Sequence, residues 1–151
     1  MNKSIPFALF ASVGLAACVS ADPDNYNAIN PSPSEESATI VFYRGHSPQA
    51  SLANAYLGTD KGYFLELDED QYVSIDVPAG FTEYKVRAQG SVAFKSQIKV
   101  NAGETVCVET RPNYEELEWL VVPFINALVP SFVLEETACP SAETLGELAS
   151  I

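Results

Sequence analysis

Basic residues are scarce in this 151-residue chain: eight Lys and Arg stand against twenty Asp and Glu, for a formal charge of −12. Such a surface repels phosphates and anionic head groups, so nucleic acid is not an expected partner. Histidine occurs once, at His46. A Ser–His–acid hydrolase needs its base within hydrogen-bond reach of a nucleophile. Ser47 or Ser51 with His46 and Asp60 can be written as such a set, but no nucleophile-elbow motif supports it. A His-based zinc site lacks further ligands, because only carboxylates and two cysteines expected to be bridged are at hand. Redox catalysis is disfavoured by the lack of a Cys-x-x-Cys pair. The acidic group Asp60, Glu66, Asp68, Glu69 and Asp70 lacks the spacing, central glycine and final glutamate of an EF-hand loop and reads as a solvated hairpin rim. Glu115, Glu116 and Glu118 form a second acidic run. Paired carboxylates can hydrolyse glycans, but nothing positions a sugar site here. No catalytic residue, cofactor or metal site is therefore expected.

Long apolar runs are also missing. Ile5 to Leu15 is apolar, broken by Pro6, Ser12 and Gly14. It is too short to cross the hydrocarbon of a bilayer, which takes about 20 residues as a helix. Leu117 to Leu134 is almost wholly apolar but contains Glu118, Asn126, Pro123 and Pro130, which argue against a span. A strand, a loop or short helix and a last strand are expected there. The sharper alternative is an exposed apolar loop over 121–129, with Trp119, Phe124 and Ile125 as anchors for a membrane or a partner.

What is present begins at the N-terminus. Met1-Asn2-Lys3-Ser4 carries one positive charge, the apolar run follows, and Leu15-Ala16-Ala17-Cys18 closes it. A short charged region, a short apolar region and small residues before a cut fit an export signal. The last four residues resemble the bacterial lipoprotein signal, in which Leu and two small residues precede the Cys that receives lipid. The resemblance implies cleavage between Ala17 and Cys18, and a membrane anchor through covalent lipid on Cys18. Several acyl chains hold a protein stably where one holds it only marginally. Val19 follows, where Asp would favour inner-membrane retention in a Gram-negative cell. The expected location is thus the bacterial cell envelope, with the outer membrane facing the periplasm favoured.

Residues 18–37 hold Pro23, Pro31, Pro33, Asn, Asp and Ser without helical or strand periodicity. They read as a disordered tether that spans at most roughly 60 Å. With 47% hydrophobic and 11% aromatic residues the rest is a folded domain, assigned to 38–151. Cys107 and Cys139 remain as a pair in a compartment that permits disulfides. Closing a loop of about 30 residues contributes roughly 3–4 kcal/mol on the chain-entropy model.

The domain reads as short strands between turns. Strands are expected over 38–44, 55–58, 63–67, 72–77, 84–88, 94–100 and 105–110. Val73, Ile75 and Val77 share one face, and Phe94, Ser96, Ile98 and Val100 another. Pro78-Ala79-Gly80 and Asn101-Ala102-Gly103 are turns. Ser141 is placed to cap a short C-terminal helix whose Leu145 and Leu148 dock on a sheet. This spacing predicts a mainly β, antiparallel sandwich.

The strands Ala38–Arg44 and Tyr72–Val77, the Pro78-Ala79-Gly80 turn, Asn101-Ala102-Gly103-Glu104-Thr105 and Phe132-Val133-Leu134-Glu135-Glu136 resemble a domain of unknown function found in small bacterial lipoproteins. The turn also resembles PEGA-type and carboxypeptidase-regulatory-like sandwiches. The chain departs from the pattern in its apolar 117–129 stretch and its cysteine pair. The resemblance implies a transthyretin-like β-sandwich at the envelope and brings no catalytic residue. The expected role is a non-catalytic interaction or structural module whose partner is another envelope protein or a cell-wall component. The alternatives are an accessory subunit of an envelope transport or secretion assembly, docking through a strand edge, and an envelope hydrolase.

Overall fold

A computed structural model describes residues 20–22, 24–25, 36–48, 53–116 and 127–151. The chain is mainly β. Among the described residues nine strands follow one another: β1 (Ser37–Arg44), β2 (Ala55–Thr59), β3 (Gly62–Leu67), β4 (Gln71–Pro78), β5 (Gly80–Arg87), β6 (Phe94–Val100), β7 (Thr105–Pro112), β8 (Phe132–Thr137) and β9 (Ala149–Ser150). They form two sheets, ordered β8-β7-β1-β4-β9 and β3-β2-β5-β6. Two apolar faces pack together as a sandwich.

Alternation explains the core. In β4, Val73, Ile75 and Val77 are buried, while Ser74 and Pro78 face solvent. Ile98 and Val100 of β6 turn inward as expected, with Phe94 and Ser96 of the same face half-buried. Together with Ile40, Phe42, Leu57, Tyr84, Val86, Val108 and Phe132 they make one cluster between the sheets. Each such side chain contributes on the order of 1.5–3 kcal/mol by leaving water. The Phe42 and Tyr84 rings meet edge to face across it, with centroids 5.2 Å apart.

Connectivity departs from a simple meander. Pro78-Ala79-Gly80 carries the chain from one sheet to the other, with Gly80 at φ 138°. The crossing is held where Ala79 N–H donates to Glu36 O at 3.1 Å. The 101–104 turn crosses back. There Glu104 accepts from both the backbone and side-chain nitrogens of Asn101 at 2.8 Å. The returning β7 lies parallel to β1, from Thr39 beside Thr105 to Tyr43 beside Glu109. Apart from this pair and the short parallel β4–β9 contact, the strand ladders are antiparallel.

Most strand boundaries differ from the sequence reading by one or two residues, and β5 by more. β5 begins at Gly80 rather than Tyr84, because Phe81 and Glu83 continue the strand on its outer face. Gly58 is not a strand end: β2 runs on to Thr59, and a two-residue turn at Asp60-Lys61 leads to β3. The C-terminal helix (Ala142–Glu147) is present, and the Ser141 hydroxyl accepts from Thr144 N at 3.2 Å. Its Leu145 and the following Leu148 are half-buried rather than seated in the core. What joins this end to the sheet is instead β9, through Ala149 N–H to Asp70 O at 2.8 Å.

The stretch expected to be a free tether is partly laid on the domain. Asp22 N–H donates to Tyr63 O at 2.9 Å, at the outer edge of β3. Of the apolar 117–134 segment, the described part divides. Leu128 is 73% exposed, whereas Phe132 and Leu134 are core residues. Pro130 bridges to Val92.

Candidate functional site

Cys107 and Cys139 are joined as a disulfide with Cα atoms 5.0 Å apart. Cys107 sits in β7 beside Val41, and Cys139 follows β8. Ala17, Cys18, Ser51, Trp119, Phe124 and Ile125 lie outside the described residues.

A polar group stands at the end of the sandwich where β1 leaves and β4 enters. The β1–β4 register sets it: Arg44 pairs with Gln71, so the loop after one strand meets the turn before the other. His46 Nδ1 lies 3.4 Å from Glu69 Oε1 and 3.5 Å from Asp70 Oδ2. Ser47 N–H also donates to Glu69 Oε1, and Ser47 Oγ is 3.3 Å from the Tyr114 hydroxyl. Asp70 holds a left-handed conformation at φ 57°.

Beneath this rim Arg44 is almost fully buried. Its Nη1 donates to Ala53 O at 2.8 Å and Leu67 O at 3.1 Å. Burial lowers the guanidinium pKa from its ordinary value, and the charges of Glu69, Asp68 and Asp70 oppose that. The acidic turn therefore stabilises a buried cation as well as facing solvent.

One atom from each of His46, Glu69 and Asp70 falls within 4.8 Å of the others. One imidazole and two carboxylates form a donor set suited to a divalent cation of the zinc or manganese kind. In the linear sequence His46 has no second ligand beside it, so zinc was not expected, and Asp68–Asp70 reads only as a rim. The missing signal is the β1–β4 pairing. Two members of that acidic group are elsewhere, while Asp68 stays beside Arg44 with Glu69 and Asp70. Glu66 accepts from Asn54 Nδ2 on the second sheet. Asp60, in the β2–β3 turn, acts electrostatically on Lys95. The Ser–His–Asp60 set is therefore not assembled.

A second surface is not visible in the composition. Arg87 and Lys85 on β5, Lys95 and Lys99 on β6, and Lys61 in the β2–β3 turn all belong to the β3-β2-β5-β6 sheet. Aromatic rings lie among them. Lys85 Nζ is 4.6 Å from the Tyr63 ring centroid and Lys99 Nζ 5.5 Å from that of Phe81. Phe81 is 71% exposed. A shallow cavity of about 330 Å³ lined by Ala53, Asn54, Tyr56, Ala88 and Gln89 adjoins this sheet.

No helix among the described residues is long and apolar enough to cross a membrane. Compared with known proteins, the chain matches no family model, no curated protein and no solved structure.

Proposed function

We propose that the chain is a lipid-anchored protein of a bacterial cell envelope whose sandwich domain holds a partner rather than transforming a substrate. The observation that carries this reading is the pairing of Cys107 with Cys139. It accords with an oxidising compartment. It also leaves Cys18 as the one other cysteine of the chain, at the end of an export signal. The Cys there serves as the acceptor of lipid, and the domain faces the periplasm from the outer membrane of a Gram-negative cell. The partner is another envelope protein or a cell-wall component, and the resemblance to small envelope lipoproteins supports the same assignment.

Metabolic labelling with palmitate tests it. Wild-type protein takes up label and Cys18→Ala does not. Wild-type protein without label would remove the anchor and the location together. Crosslinking in intact cells followed by mass spectrometry then identifies what the domain holds. Replacing Phe124 and Ile125 by Ser separates a partner-binding role from a packing one: capture is lost with an unchanged melt in the first case, and folding is lost in the second.

A further inference from the structure

We propose that Asp22, Asp24 and Asn25 form a latch that docks on the open edge of β3, and that its release lets the domain move away from its anchor. The latch stands on contacts within the chain. The distance it sets from the membrane rests on the lipid-anchored reading of Cys18.

The first observation is what covers an open edge. β3 is the outer strand of its sheet, so one side of its backbone faces no neighbouring strand. Such an edge offers backbone acceptors to another stretch of chain. Here the segment ahead of β1 takes one. Asp22 N–H donates to Tyr63 O at 2.9 Å, and Asn25 Nδ2 donates to the same carbonyl at 3.5 Å. Both donors reach one acceptor because the chain turns between them, and Asp22 makes that turn. Its carbonyl accepts from Asn25 N–H at 3.0 Å, and its carboxylate accepts from Asp24 N–H at 3.0 Å.

The second observation is the seat. Gly62, at the start of β3, holds φ 138°, a conformation that favours glycine. The space a side chain would fill there is taken by Asn25: a Cβ on Gly62 would lie 2.5 Å from Asn25 Nδ2. A Cβ on Gly80, Gly90 or Gly103, which also have positive φ, would meet nothing within 4 Å. The bare backbone at Gly62 thus admits the latch as well as the turn.

The third is how little holds the latch and how much chain it controls. Asp22 and Asp24 are exposed, and Asn25 is half-buried. Segments held by few buried contacts open at a small fraction of the free energy of global unfolding. The latch therefore opens while the sandwich stays folded. Docked, Asp22 is four residues after Cys18, a length that reaches no more than about 14 Å. Open, the chain from Cys18 to Ser37, where β1 begins, reaches up to roughly 60 Å. One small contact decides whether the domain is held at the membrane surface or ranges beyond it.

The test uses the full-length lipidated protein in detergent and on phosphatidylcholine vesicles. Amide hydrogen exchange, resolved by NMR in detergent, reads the latch at Asp22, with Phe42 in the core as the control for folding. The wild-type Asp22 amide exchanges several-fold more slowly than a free peptide. Asn25→Ala, a change at the surface, speeds it several-fold while Phe42 stays protected. Gly62→Ala, which fills the seat, does the same, and Asn25→Ala decides alone if that variant loses protection at Phe42. Free exchange of Asp22 in the wild type, or undiminished protection in Asn25→Ala, would overturn the latch. Distance is read on the vesicles by energy transfer from a dye on Ser74→Cys to acceptor lipids. Transfer falls in Asn25→Ala. Equal transfer with and without that substitution, where exchange shows the latch open, would overturn its control of distance. Lipid on Cys18 is read by mass spectrometry in the same samples. Wild-type protein without lipid removes the anchored reading and the distance with it, while Asp22 exchange still decides the latch.

Discussion

The guanidinium carbon of Arg44 lies 4.7 Å from the centroid of the Phe132 ring. One charged side chain thus ties the end of β1 to the start of β8, while its hydrogen bonds reach Ala53 before β2 and Leu67 at the end of β3. It bridges both sheets at the end where His46, Glu69 and Asp70 gather. Burying a cation is costly, and the cost is offset here by carbonyl acceptors, an aromatic face and three nearby carboxylates.

Arg44→Ala should therefore be among the most damaging single changes. It strips the carbonyls of Ala53 and Leu67 of a donor and opens a void beside Phe132. A loss of about 3–5 kcal/mol is expected in urea denaturation. Arg44→Lys keeps charge but not the planar stack, and should cost about 1–3 kcal/mol. A change of a few tenths for Arg44→Ala would show that the end of the sandwich closes without it.

The disulfide makes a second prediction. Cys107 and Cys139 are 32 residues apart in sequence. Replacing both by Ala should lower stability by roughly 3–4 kcal/mol through the freed loop in the unfolded chain. Adding reductant to the wild type should match that shift and leave the double variant unmoved. Thiol titration under non-reducing denaturation should find neither cysteine of the domain free.

Much of this was legible in the chain because strand alternation is a local property. Val73, Ile75 and Val77 declare a buried face without reference to anything distant, and so do the turn residues Pro78 and Gly80. Ser141 marks its helix start in the same local way. What was not legible depends on pairing across the fold. The parallel placement of β7 beside β1 follows from four crossings between sheets, which no window of residues records. His46 and Glu69 are brought together by the Arg44–Gln71 register. The cations of β5 and β6 are spread over the sequence from Lys85 to Lys99 and gather on one face only when those strands pair. Arg44 reads as the polar end of a strand, because nothing nearby shows that Phe132 will cover it.

Gly58 has a packing role that a substitution can expose. A Cβ there would collide with the Gly62 carbonyl oxygen and lie 2.9 Å from both Lys85 Cε and Tyr63 Cδ1. The bare backbone is what lets Lys85 cross β2 to reach the Tyr63 ring. Gly58→Ala should destabilise by about 1–3 kcal/mol, as over-packing does, and alter the near-ultraviolet signal of the tyrosines. Gly45→Ala has nothing within 4 Å of the new atom and should stay within about 0.5 kcal/mol of wild type. Equal melting of the two variants would show that the β2–β3 hairpin yields freely.

Tyr84 gives the domain an alkaline limit. Its ring is almost fully buried against Phe42, and burial pushes the phenol up from 10.0 to about 12, with the Thr82 side chain opposing. The folded state thus keeps a proton that the unfolded state gives up near pH 10. Below pH 10 both states are protonated and the full stability is present. Between 10 and about 12 the unfolded chain binds fewer protons, so unfolding becomes easier as pH rises. The loss over that window is about 2–3 kcal/mol, because each tenfold difference in proton affinity between the two states is worth about 1.4 kcal/mol. Denaturation midpoints measured from pH 8 upward should fall through this range for the wild type. Tyr84→Phe keeps the ring and its edge contact but has no proton to lose, so its midpoints should fall less steeply by that amount. Parallel curves for the two proteins would mean that other groups carry the alkaline transition.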